Sequence, residues 1–319
     1  MTAQAVAATA RPRPARAWRA VLRLHQPALF LWGVFVTLVS AVLLWAYGPG
    51  GNAAGAAWRR KCTVDLCDLE DYSVDRYHLA FRFSEAAIDF LPILVALWAG
   101  GMLIGRELEN GTAELAWTQS VSPVRWLATK LAAPAALLTA GTTLLVGLHR
   151  LLFDAHQIPK GWNWTDNGTF ETNGPMAIAF PLLGLALGAL AGLVVRRAAV
   201  GLMVAVLATG VARSLVLWAS PHLWPWRTDV SALPDGYPPM KAAFHGGEGA
   251  VTSTGAHIPD PCGTAEKACL AAHDIVGHYR EYHPSSQFWP LQLTETALIL
   301  TVTALAVAAA FTLLRRRTA

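Results

Sequence analysis

PMAIAFPLLGLALGALAGLVV, residues 175–195, is followed at once by Arg196-Arg197 and then by a second apolar run from Ala198 to Trp218. The first of these runs carries no charge. Crossing a hydrocarbon core of about 30 Å, at about 1.5 Å per residue, takes roughly 20 apolar residues, so each run can span a bilayer as a helix. Four further runs of this kind lie at Leu29–Tyr47, Ala86–Ile104, Leu131–Leu148 and Leu293–Leu314. The chain as a whole is 54% hydrophobic and 14% charged over 319 residues, too apolar for a soluble domain of that length. Peptide groups in lipid must be satisfied within their own segment or in a closed barrel, and no strand-length alternation is visible. The expected fold class is therefore all-α: a polytopic membrane protein with six transmembrane helices occupying residues 29–314.

Basic residues sort the connections between these runs. Arg11, Arg13, Arg16, Arg19 and Arg23 precede the first, and no acid occurs before Asp65. Arg106, Arg125 and Lys130 lie between the second and third, Arg196-Arg197 between the fourth and fifth, and Arg315-Arg316-Arg317 after the sixth, in the basic tail 315–319. Six spans put all of these on one side, which the positive-inside rule makes cytoplasmic, with both termini inside the plasma membrane. The outer loops are then 48–85, 149–174 and 219–292. The net charge of +4 reads as a topology signal, and no basic groove points to nucleic acid. Residues 1–15, rich in Ala, Pro and Arg, are expected to be a disordered tail. In 16–28, arginines recurring at three and four opposite Trp18, Val21 and Leu22 suggest an amphipathic helix in the headgroup layer, unless they serve only to fix topology.

All four cysteines, Cys62, Cys67, Cys262 and Cys269, fall in the outer loops. Two close pairs in an oxidising compartment are expected to form the local disulfides Cys62–Cys67 and Cys262–Cys269. The competing reading is a metal site completed by His273, His278 and His283. A histidine spacing of five is not the three or four of a zinc-binding helix, so no metal is expected.

Residues 105–130 form the connection between the second and third runs. Thr112 can cap a short helix with Glu114 in its first turn, where the helix dipole favours an anion. Ser122 followed by Pro123 is a second cap, starting the helix that becomes the third span. Glu107, Glu109 and Glu114 are the only acids on that side and are expected to be exposed. They do nothing to hold the loop inside, so they point to a contact with another protein; a merely solvated loop is the plainer alternative. The stretch Glu107-Leu-Glu109-Asn-Gly111-Thr112, the Thr118-Gln-Ser120 triplet, and Ser122-Pro-Val-Arg125-Trp126 leading to Lys130 resemble the corresponding loop of type-2 ATP-binding-cassette (ABC) exporter permeases. The likeness is to forms common in high-GC actinobacterial genomes. It implies a coupling helix, with Glu107, Glu109, Gly111, Thr112, Glu114 and Arg125 as coupling residues seated on an ATPase subunit that carries ATP and Mg. It also implies pairing as a homodimer or with a second permease subunit. The chain departs from the pattern in its last outer loop, which is longer than the short re-entrant hairpin of many exporters.

No Gly-x-x-x-x-Gly-Lys-Ser/Thr phosphate loop occurs, so energy for active transport must come from a separate ATPase. Neither a His-Glu-x-x-His nor a Gly-x-Ser-x-Gly motif is present, and no catalytic residue is expected. Asp89, Arg213 and Glu295 lie within spans, near their outer ends, which makes them candidates for function. Asp89 and Arg213 could pair inside the bundle, or all three could reach the interface. The expected function is a permease subunit that exports a substrate by alternating access. The alternative is a membrane-anchored sensor or enzyme acting through its outer loops, where Trp162, Trp164, Trp224 and Trp226 could bind a ligand.

Overall fold

The structure is a computed structural model that describes residues 26–62, 71–119, 121–155, 158, 162–239, 244–263 and 267–318. Six of its helices are long and apolar enough to cross a membrane, one for each predicted run. Helix α1 (Gln26–Trp45) continues through a wide π turn at Ala46–Gly50 into α2 (Gly51–Lys61). The π turn contains Pro49, whose missing N–H breaks the regular ladder. Helix α3 (Tyr72–Trp98) runs through a second π turn, Ala99–Gly105, into the short α4 (Arg106–Glu109); α5 (Thr112–Gln119) follows. The remaining spans are α6 (Pro123–Ala155), α8 (Met176–Val195), α9 (Ala198–Ala219) and α11 (Phe288–Thr318), with the small α7 (Asn167–Thr172) ahead of α8 and the small α10 (Lys267–Ala272) ahead of α11.

Much of the expected outer loop 48–85 is helical. The Asp71 carboxylate accepts from the Ser73 N–H at 2.9 Å and starts α3 at Tyr72, about four turns ahead of the predicted span. The predicted interfacial helix 16–28 lies outside the described residues up to 25, and Gln26–Ala28 are already part of α1.

The centre of the bundle is α8, which packs against α3, α6, α9 and α11. Its glycines explain how closely it approaches α3. A methyl group on Gly188 would lie 2.7 Å from the Ala96 carbonyl oxygen, and one on Gly192 would lie 3.0 Å from that of Gly100; Gly184 meets the Pro92 carbonyl still more closely. Contacts four residues apart on each helix make a seam in which backbone rests on backbone, the arrangement that small residues permit between membrane helices. Gly100 continues the seam to α9, since a methyl there would sit 2.7 Å from the Ala205 Cβ.

The segment after α9 departs from the sequence expectation. It forms a four-stranded antiparallel sheet of β1 (Arg227–Ala232), β2 (Phe244–Thr252), β3 (His257–Ile258) and β4 (Ile275–His283), in the order β1-β4-β2-β3. Pairs such as Val230 with Tyr279 and Ala250 with His278 fix its register. The membrane part is all helical, and the sheet sits at the opposite end from Arg196-Arg197. His283 and Gln287 join it to the bundle: the His283 Nδ1 meets the Gln287 Oε1 at 2.6 Å, its Nε2 meets the Pro221 carbonyl at 3.0 Å, and the Gln287 amide donates to the Pro225 carbonyl at 3.2 Å.

Candidate functional site

At the basic end, α4 and α5 fold back across the ends of the spans. Gly111 makes the turn between them with φ +68°, a conformation open to glycine. Its carbonyl accepts the Leu115 N–H at 3.1 Å. Thr112 is therefore the first residue of α5 and not its cap: its hydroxyl donates to the Glu107 carbonyl at 3.1 Å, satisfying an end group of α4. Ser122 caps as expected, accepting the Arg125 N–H at 3.3 Å with Pro123 first in the helix.

The three carboxylates are spent on this chain's own helices. Glu107 is half-buried: it pairs with Lys130, which is 9% exposed, and accepts the Trp126 indole N–H at 3.1 Å. Its expected exposure is thus corrected. The ring N–H and ammonium of α6 draw it inward because a buried Lys needs an anion. Glu109 accepts the Ala198 N–H at 2.8 Å, capping α9 from a different segment. Glu114 meets Arg196 at 3.0 Å across an exposed gap. Arg196 itself has φ +57° at the end of α8. Helix α5 is two-faced. Ala113 is buried and Trp117 stands edge-on to Trp126 at 5.6 Å, while Glu114, Leu115, Thr118 and Gln119 face outward. Leu115, 58% exposed, is an apolar side chain on that otherwise polar face, and Arg125 in the first turn of α6 is exposed as well. Arg317 donates to the Leu193 carbonyl, so the C-terminal helix closes on the same end.

At the opposite end, Arg213 of α9 contacts both Asp89 of α3 and Glu171 of α7, and donates to the Asp89 carbonyl at 2.7 Å. Burial pushes the Glu171 carboxyl up to about 7 against the opposing pull of Arg213, with the nearby Asp89 carboxylate raising it further. One helical turn before Asp89, Glu85 accepts the Thr169 hydroxyl at 2.6 Å. Nothing in the sequence marks Glu171 as a member of this group, because it lies in a polar connection. Glu295 does not reach the interface: it is fully buried and accepts the Ser220 hydroxyl, a bond that holds α11 to the end of α9.

The sulfurs of Cys262 and Cys269 are 1.97 Å apart, while the Cys62–Cys67 pairing lies outside the described residues because Cys67 is not among them. His273 comes within 4.8 Å of the two bonded sulfurs. The other two histidines lie in separate surroundings: His278 packs on Tyr237 at 4.3 Å and His283 on Trp226 at 3.9 Å. The outer tryptophans are largely packing residues. Trp162 stacks on Phe81 at 3.5 Å, and Trp164 stands edge-on to Phe170, Phe244 and Phe288. Of the four, Trp224 keeps a surface that is 37% exposed.

Comparison with known families gives a match over residues 28–220, more than half of the chain, to the family described as ABC-2 membrane transporter related. That span takes in the first five membrane helices and the whole of the α4–α5 connection. No curated protein and no solved structure matches.

Proposed function

Because the chain belongs to the ABC-2 membrane transporter related family and carries six membrane helices, we propose that it is the permease subunit of an ATP-driven exporter, with α4 and α5 as the docking site for a separate ATPase. The observation that carries this reading is the α5 face. A short helix held to the bundle by Trp117 against Trp126 and by Glu114 on Arg196 presents Leu115 outward among polar side chains. A rigid apolar anchor ringed by polar groups is the composition of an interface centre. The basic end, with Arg106, Arg125, Arg196, Arg197 and Arg315–Arg317, faces the cytoplasm, where the ATPase and its ATP and Mg are found. The sheet end then faces outward, in keeping with an oxidised Cys262–Cys269 pair.

Export follows from alternating access. Closure of two ATPase subunits brings their docked permease loops together, and the spans attached to those loops tilt. Two permease chains are needed for this, as a homodimer or a heteromeric pair. Asp89, Glu171 and Arg213 tie α3, α7 and α9 at the outer end, where such a tilt would open the path. Arg213 there faces two carboxylates, and the raised pKa of Glu171 lets it carry a proton so that the charges balance in the closed bundle.

The test is Leu115→Asp in the permease purified with its ATPase. The reading expects ATPase affinity to drop by at least about thirtyfold, the size of a hot-spot loss. Normal retention would remove Leu115 from the interface.

A further inference from the structure

We propose that Glu109 and Glu114 are positioning residues that latch the α4–α5 loop to the α8–α9 turn, so that a displacement of the loop is passed directly to α9, the fifth span. This rests on the docking reading above and adds the path by which a docked ATPase acts.

Two attachments converge on a stretch of three residues. Glu114 holds Arg196 at 3.0 Å and Glu109 holds the Ala198 N–H at 2.8 Å. The turn they grip has no slack. Arg196 closes α8 in the left-handed region, Arg197 is extended, and α9 begins at Ala198. Arg197 makes no side-chain cap for α9, so the amide that would otherwise lack a partner takes the Glu109 carboxylate instead. A cap supplied from a separate segment ties the two together, since neither can shift alone without leaving that amide unpaired.

A second contact grips the same part of α9 from the side. The π turn Ala99–Gly105, through which α3 reaches the loop, packs closely on α9 through Gly100, Gly101 and Gly105. A methyl on Gly100 would meet Ala205, and one on Gly105 would come within 3.1 Å of the Ala198 Cα. Close-packed backbone passes on a shift where a loose contact would absorb it. The loop is thus a bracket, fixed to α6 through Glu107 and Lys130, to the end of α8 through Glu114 and to the start of α9 through Glu109.

The experiment uses the permease and its ATPase reconstituted in proteoliposomes, measuring the ATPase retained and the stimulation of ATP hydrolysis by the permease. Glu109→Ala with Glu114→Ala is expected to lower the stimulation per bound ATPase at least about fivefold, the lower end of allosteric coupling. Glu109→Gln, which keeps an acceptor oxygen for the Ala198 N–H, is expected to behave as wild type. Unchanged stimulation in the double-alanine variant overturns the latch and leaves the docking reading standing. Loss of bound ATPase in that variant also overturns it, because the carboxylates would then be contacts themselves. A wild-type permease that retains no ATPase removes the docking reading, and the latch with it. Should the double-alanine variant fail to fold, Glu114→Arg is compared with Glu114→Arg/Arg196→Glu. Recovery of stimulation in the swapped pair supports the latch, and its absence overturns it.

Discussion

Lys130 and Glu107 are the pair on which the loop's position depends. Removing one partner of a buried pair leaves the other charge uncompensated, which costs about 3–5 kcal/mol, whereas an exposed pair contributes about 0–1 kcal/mol. Lys130→Ala should therefore lower the unfolding free energy in detergent by several times more than Glu114→Ala, as read from denaturant titration. Equal effects would mean that Lys130 is solvated. Glu171 gives a pH signature. Its folded-state pKa, near 7, lies above the ordinary carboxylate value, so its contribution to stability is complete below about pH 4.5 and is lost as pH rises through 7. The thermal midpoint should fall between these limits, and Glu171→Gln should flatten that slope; an unchanged slope would assign it to other groups. Asp89 and Arg213 were legible as candidates because charges in apolar runs are rare. Glu171 was not, because a glutamate in a polar connection looks like any other.

At the scale of elements, the six helices could be read directly from long apolar runs, since the bilayer imposes a common minimum length on all of them. The seam between α3 and α8 was less visible: Gly184, Gly188 and Gly192 show the small-residue spacing, but their partners on α3 are carbonyl groups, which every residue has. Gly188→Ala should push a methyl into the Ala96 carbonyl and cost about 1–3 kcal/mol or more, while Gly147→Ala, with nothing within 4 Å, should be neutral. Folded yield by size-exclusion chromatography compares the two, and an equally well-folded Gly188→Ala protein would mean that the seam can open. The outer sheet escaped the sequence reading because β2 is interrupted at Gly246-Gly247, where its register with β4 shifts. Glycines and a bulge hide the alternation by which strands are recognised. In the loop, the position of the two short helices was legible, but the cap was not. Thr112 fits a capping pattern, yet Gly111, by turning left-handed, makes the reversal.

For the whole molecule, the loop motif and the arrangement of spans pointed to the ABC-2 family, and the family match over residues 28–220 agrees. What the sequence could not convey is that acids resembling a partner-binding patch would be engaged by Lys130, Ala198 and Arg196 of the same chain, because those contacts join segments far apart in sequence. This moves the expected contact with the ATPase from the carboxylates to the outer face of α5. The central claim is therefore tested by placing a photoreactive amino acid at Leu115 and, as a control, at Leu300 of α11, which is 43% exposed on the side of a span. Irradiation of intact cells should give an adduct from Leu115 whose partner, identified by mass spectrometry, contains a Gly-x-x-x-x-Gly-Lys-Ser/Thr phosphate loop, and no such adduct from Leu300. An ATPase adduct from neither position, or from both alike, would contradict the account.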